Sequence, residues 1–239
     1  MCSLPDDGKA RRFGRDPAMR RGARVQDRFG LVLILLASSF VALGFAESTW
    51  ALVLASGLQL AALIVTSLAT RLWRDHRLLG VLALVGIVAV VCSAISGDGA
   101  QVVAATASAM LLIAVLVGVL GRILRHREVT IQTLYGAMCA YFLLGLIFAA
   151  VYGGLDAASS TPLFGETVER SVYSYFSFTA LTTLGFGDYT VKTNLGRRIV
   201  AIEAITGQLF LATTLARLVS LYKAAPPEVR PPDADPTPR

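Results

Sequence analysis

Charged side chains make up only 16% of the 239 residues, and the sequence has just two histidines, three cysteines and two tryptophans. The scarcity of charge excludes most soluble folds. With 55% hydrophobic residues and a mean hydropathy of +0.64, a water-soluble domain would lack the polar surface to cover its apolar side chains. The composition is that of a membrane protein. Cys2, Cys92 and Cys139 have no spacing that fits a metal site or a disulfide framework. His76 and His126 stand singly in basic loops, where histidine is ordinarily a surface residue. No G-x-S-x-G, H-E-x-x-H, P-loop or dinucleotide pattern occurs, so neither an enzyme nor a cofactor is expected. The net charge of +6 does not point to nucleic acid, because the basic residues flank apolar runs and do not gather on a soluble domain.

Long apolar runs are what the chain does have. They cover about 29–46, 50–70, 78–95, 102–124 and 131–152, with a less pure sixth at about 195–222 that contains Arg197, Arg198, Glu203 and Arg217. Each is near the roughly 20 residues that cross a hydrocarbon core. Between the fifth and sixth, the aromatic segment 172–183 is too short to cross and fits a re-entrant helix, tolerated where protein or a water-filled cavity surrounds it. The expected fold is an all-α integral membrane protein with six transmembrane helices and a re-entrant pore helix between helices five and six. The first run is read as a retained span and not a cleaved signal peptide, because its basic leader is too long.

Loop charges set the orientation. The tail 1–28 is basic, and the loops holding Arg71, Arg74 and Arg77, and Arg122, Arg125 and Arg127, are basic too. The alternate loops hold only Glu47 or Asp98, and the segment before residue 172 holds Asp156, Glu166 and Glu169 against Arg170. By the positive-inside rule both termini are cytoplasmic and the re-entrant segment faces outward. A multi-pass protein of the plasma membrane, of bacterial inner-membrane type, is expected. Its partners are the lipid bilayer, with anionic lipids at the basic tail, and no nucleic acid.

The run Thr182-Thr183-Leu184-Gly185-Phe186-Gly187-Asp188 lies just after the re-entrant segment. Its glycines remove the Cβ penalty where a backbone must turn its carbonyls inward. The string resembles the T-V-G-Y-G-D selectivity-filter pattern of potassium channels, with Leu184 and Phe186 in place of Val and Tyr. The resemblance covers about 135–222. It implies K⁺ coordinated by the oxygens of Thr183, Leu184, Gly185, Phe186 and Gly187 alone, as a permeant ion. It implies Asp188 at the outer mouth, raising the local cation concentration. It also implies support of the filter by Thr182, Thr179, Tyr175, Phe178 and Glu203, the last an intramembrane acid within reach of Thr182 or Ser177. Some simple bacterial members carry an acid paired to the mouth aspartate where this chain has Thr179, so that pairing is not expected here.

In the sixth run Gly207 falls at the spacing of the family's hinge glycine, although a close helix contact would also require it. Gln208, Leu211, Leu215 and Val219 share one helical face and are the expected cavity and gate residues. The fourth run has no charge between residues 102 and 119, so the helices at 29–127 form a transmembrane domain without voltage-sensor charges. The pore domain is 128–222. The tail 223–239 is proline-rich, and no fused ligand-binding module is expected there. One filter strand per chain implies a homotetramer. The reading is passive K⁺ conduction that is not strongly voltage-gated. A weakly selective cation channel, or a non-conducting subunit using the pore fold for assembly, stays open beside it; a transporter is disfavoured, because no inverted repeat is found.

Overall fold

The computed structural model describes residues 29–44, 49–70, 76–95, 97–125 and 131–223. The basic tail 1–28, the loop residues Glu47, Arg71, Arg74, His126 and Arg127, and the proline-rich tail beyond residue 223 lie outside the described residues. Within them the chain is helical: α1 Phe29–Gly44, α2 Thr49–Thr70, α3 His76–Ala94, α4 Asp98–Arg125, α5 Ile131–Ala158, α6 Arg170–Leu181 and α7 Asn194–Lys223.

By length and composition three stretches can cross a membrane: Gly99–Gly121 in α4, Thr133–Ala158 in α5 and Asn194–Arg217 in α7. Phe29–Gly44, Val53–Ser67 and Gly80–Ala94 are shorter apolar helices. Apolar residues fall all round these helices, as expected where lipid covers one side and protein the other. α6 is the 12-residue exception between two long helices.

One apolar core runs through α1 to α5. It contains Leu36, Leu63, Ala89, Leu111, Val115, Leu143 and Leu146, all buried. The four leading helices therefore pack onto α5. Small residues permit the approach: a Cβ added at Gly154 of α5 would lie 3.2 Å from the Ala105 methyl of α4. A second cluster, Tyr152, Leu163, Phe164, Val172, Tyr173, Phe176 and Val191, clasps the start of α6 between the C-terminal end of α5 and the flanking loops. Asp156 ties this clasp together, accepting from the Leu163 N–H and the Tyr173 hydroxyl at 2.5 Å each. α7 starts behind a Thr193 cap, whose Oγ1 accepts from the Gly196 N–H at 3.2 Å. Only 11% of its apolar window is buried.

Candidate functional site

α6 aims its C-terminus at the glycine run, and the hydrogen bonds show how the run is held. The N–H groups of Leu184 and Gly185 both donate to the Thr179 carbonyl, at 2.9 and 3.2 Å, and that of Thr183 donates to Ala180 at 2.9 Å. The first residues of the run thus spend their donors on the last turn of α6. Their carbonyls have no comparable partner among the described residues. The backbone dihedral φ is positive at Thr183 (58°), Gly185 (49°) and Gly187 (81°), every second residue. Glycine takes that conformation freely, whereas threonine does so at a cost. Thr183 is held there by its own hydroxyl, which donates to the Thr182 carbonyl at 2.7 Å. Gln208 Nε2 of α7 donates to the same hydroxyl at 3.2 Å. All residues from Thr182 to Asp188 are exposed in the single chain, Leu184 at 59% and Phe186 at 67%.

The supporting residues are divided between several surfaces. Thr182 donates to the Phe178 carbonyl at 2.7 Å, and Thr179 to that of Phe176 at 2.8 Å. Tyr175 donates to Asp188 Oδ2 at 2.8 Å. The bonded carboxylate holds the Tyr175 phenol above its ordinary pKa. Tyr189 N–H donates to Asp188 Oδ1 at 3.0 Å. So Asp188 is braced by a hydroxyl from one turn further back than Thr179. Phe178 packs on α1 and α5: its ring meets Phe40 edge-on and Phe142 at a tilt, with centroids 4.7 and 5.1 Å away. A Cβ added at Gly145 would lie 2.6 Å from that ring, so the glycine is what lets α5 close on α6.

Glu203 is fully buried, at 0% exposure. Its Oε2 accepts from the Tyr152 hydroxyl of α5, and its Oε1 from Ser177 of α6, both at 2.5 Å. Ser177 Oγ is also 2.8 Å from the Gly145 carbonyl. One carboxyl therefore joins α5, α6 and α7 behind the filter, with Ser177 as the α6 partner while Thr182 bonds within its own helix. Tyr152 was not foreseen; an apolar run with one tyrosine gives no hint of a partner 51 residues away.

Gly207 lies inside a continuous α7. A Cβ there would fall 2.4 Å from the Leu181 carbonyl oxygen, so the position is a close contact between α7 and the end of α6. That carbonyl also accepts from Tyr141 of α5 at 3.3 Å. Leu211, Leu215 and Val219 are exposed along α7. Near its C-terminal end, Arg217 Nη2 donates to the Ile123 carbonyl in the last turn of α4 at 2.9 Å. Among the described residues no group of His, Cys, Asp and Glu could hold a metal ion.

Residues 137–224, a little over a third of the chain, match a family model described as "ion channel". A search of curated proteins found no match. The matched stretch begins in α5 and holds α6, the glycine run and α7. The match supports an ion channel, and the apolar helices agree with a membrane protein.

Proposed function

We propose that the chain is one subunit of a homotetrameric pore for passive K⁺ flow across the plasma membrane, with Thr183–Gly187 as its filter strand. One observation carries the reading: φ alternates in sign along that strand while its first N–H groups bond back to α6. Alternating hand turns successive carbonyls to one side of a ribbon. The side left to them is the one away from α6, where four strands would form oxygen rings that replace an ion's hydration shell. Asp188, braced by Tyr175, adds charge at the entrance.

The tetramer is supported by what one chain leaves uncovered. Leu184, Phe186, Ile202, Ile205 and Leu209 are exposed large hydrophobic residues at the strand and along α7. Copies of the same surfaces are their natural cover. Six crossings, with both termini cytoplasmic, follow from the loop charges and the helix order. The absence of charge within the described interior of α4 supports weak voltage dependence.

Single-channel recording of the purified protein in bilayers with asymmetric KCl and NaCl tests the reading. Currents reversing near the K⁺ equilibrium potential are expected. Reversal near zero would replace the reading by a weakly selective cation channel, and silence by a non-conducting subunit.

A further inference from the structure

Gln208 shares its face of α7 with Leu211, Leu215 and Val219, and of the four it alone carries a hydrogen-bonding side chain. Its Nε2 donates to Thr183 Oγ1 at 3.2 Å, across 25 residues of sequence. The cause lies one residue earlier. Gly207 is buried, and a Cβ there would fall 2.4 Å from the Leu181 carbonyl oxygen. The Tyr141 hydroxyl of α5 holds that same oxygen at 3.3 Å. The α7 backbone therefore touches the end of α6 at Gly207, and the next side chain falls beside the residue that opens the glycine strand. A glutamine is long enough to reach the Thr183 hydroxyl.

That hydroxyl has one proton and two lone pairs to place. The proton goes to the Thr182 carbonyl at 2.7 Å. One lone pair takes the Gln208 N–H. A single lone pair is left. The oxygen is also fixed in position, because the Thr183 N–H bonds to Ala180 at 2.9 Å and the next two N–H groups to Thr179. Thr183 and Gln208 are both exposed in the single chain, so the remaining lone pair is open to whatever occupies that side.

In the pore reading, on which this inference rests, Thr183 is the inner end of the filter strand. Its hydroxyl is then the first oxygen met by an ion arriving past the C-terminal half of α7. An oxygen that already accepts an amide proton offers a cation a weaker field than a free one. Four amides would act in this way on four hydroxyls. Conduction needs a site strong enough to fill and weak enough to empty.

We propose that Gln208 is a positioning residue that sets the strength of the innermost ion site: its amide fixes the Thr183 hydroxyl and occupies one lone pair, so that K⁺ is held loosely enough to pass on. Removing the donor should tighten the site. The gain should be larger for a divalent cation, because the energy of an ion beside fixed oxygens scales with its charge. Ba²⁺, close to K⁺ in size, is therefore the probe.

The test records single channels of the full chain in bilayers, with KCl on both sides and Ba²⁺ added on the side to which the C-terminal half of α7 leads. Gln208→Met keeps the length of the side chain without its donor. Gln208→Asn keeps an amide but is one methylene short of Thr183. In both, Ba²⁺ should leave about tenfold more slowly, equivalent to about 1.4 kcal/mol and the scale of one hydrogen bond. The unitary K⁺ current should fall. An unchanged Ba²⁺ exit rate overturns the proposal. So does faster exit in both variants, because a strand that has merely lost support holds every ion less well. Slower exit in Gln208→Met with wild-type exit in Gln208→Asn assigns the effect to cavity polarity and overturns the contact. If Gln208→Met does not assemble, the exit rate in Gln208→Asn decides. A wild-type protein that passes no K⁺ current sinks the pore reading. Calorimetric titration of Ba²⁺ into the purified proteins then judges the site by itself: tighter binding by Gln208→Asn keeps it, and equal binding removes it.

Discussion

Removing the Glu203 carboxyl takes from Tyr152 the one acceptor its buried hydroxyl has. The cost can be built up from the contacts. A buried hydroxyl without a partner costs about 1–3 kcal/mol. Ser177 suffers less, because the Gly145 carbonyl 2.8 Å away can take its proton. Alanine adds the void left by a truncated side chain, about 2 kcal/mol at a well-packed site. Glu203→Ala should therefore destabilise each subunit by about 3–5 kcal/mol. Tyr152→Phe leaves a carboxyl oxygen unpaired instead, for about 1–3 kcal/mol. Replacing both partners by apolar groups leaves no orphan, so Tyr152→Phe with Glu203→Leu should be more stable than Glu203→Leu alone. Glu203→Gln should be nearly neutral: its amide can donate to Ser177, Ser177 to Gly145, and its oxygen can accept from Tyr152.

Thermal unfolding of the five variants in detergent measures the stability cycle. K⁺ over Na⁺ permeability ratios measure what the network does for the proposed filter, since Ser177 is two residues from Thr179, whose carbonyl holds both Leu184 and Gly185. The expected order for both readouts is wild type, then Glu203→Gln, then the double variant, then Glu203→Ala. Strictly additive losses in the double variant would refute a direct Tyr152–Glu203 bond. Loss of stability with an unchanged permeability ratio would show that the network holds helices together without bearing on the filter.

Four other outcomes are expected. Gly185→Ala meets open space within one chain, so its cost arises from a φ of 49°; about 1–2 kcal/mol of strain per strand should abolish K⁺ over Na⁺ discrimination in flux assays while the assembly survives. Gly207→Ala must move the Leu181 carbonyl from 2.4 Å to at least 3.4 Å from the new methyl; overpacking of about 1–3 kcal/mol should outweigh a helix-propensity gain of about 1 kcal/mol, giving a lower melting temperature where a pure hinge predicts a higher one. Open probability should vary only weakly with voltage, because a steep response needs several charges moved at about 2.3 kcal/mol each per 100 mV; a steep curve that persists in Rb⁺ and vanishes when Arg122 and Arg125 are neutralised would overturn this. Thiols introduced at Glu47 and Asp98 should label from outside in intact cells, and one at Arg74 should not.

The legible parts of this chain were those encoded over short distances. Apolar runs can be read as helices because burial in lipid depends on each residue's own chemistry. The glycine run could be read because left-handed backbone at alternate positions needs glycine at fixed offsets, and the structure has positive φ at Gly185 and Gly187. Thr183 takes the same conformation without being glycine, and only its hydroxyl contacts explain that. What the pattern left hidden were the partners. Glycine at 145 and 207 announces a close approach but not to what. The Phe178 ring and the Leu181 carbonyl became visible only when α5 and α7 were set on opposite sides of α6. An aromatic in α6 was equally compatible with bracing the glycine run and with facing a neighbour; Tyr175 bonds to Asp188, whereas Phe178 packs on Phe40.

These hidden contacts have a common destination. Gly145, Tyr152 and Tyr141 from α5, and Glu203, Gly207 and Gln208 from α7, all meet α6 or the strand that follows it. The pairs differ in kind: a close backbone approach on each side, a buried carboxyl behind, and hydroxyl and amide contacts at the two ends of the turn. Together they hold the N–H edge of the glycine strand within a single chain, before any second copy arrives. The carbonyl edge is the opposite case, exposed and unsatisfied until other strands and ions face it. A subunit held in this way brings a preformed half of the site to the assembly. In the proposed tetramer, assembly would then have to order only the oxygens that meet the ion, and substitutions on the α6 side of the strand should act on folding of the subunit while those on the open side act on selectivity.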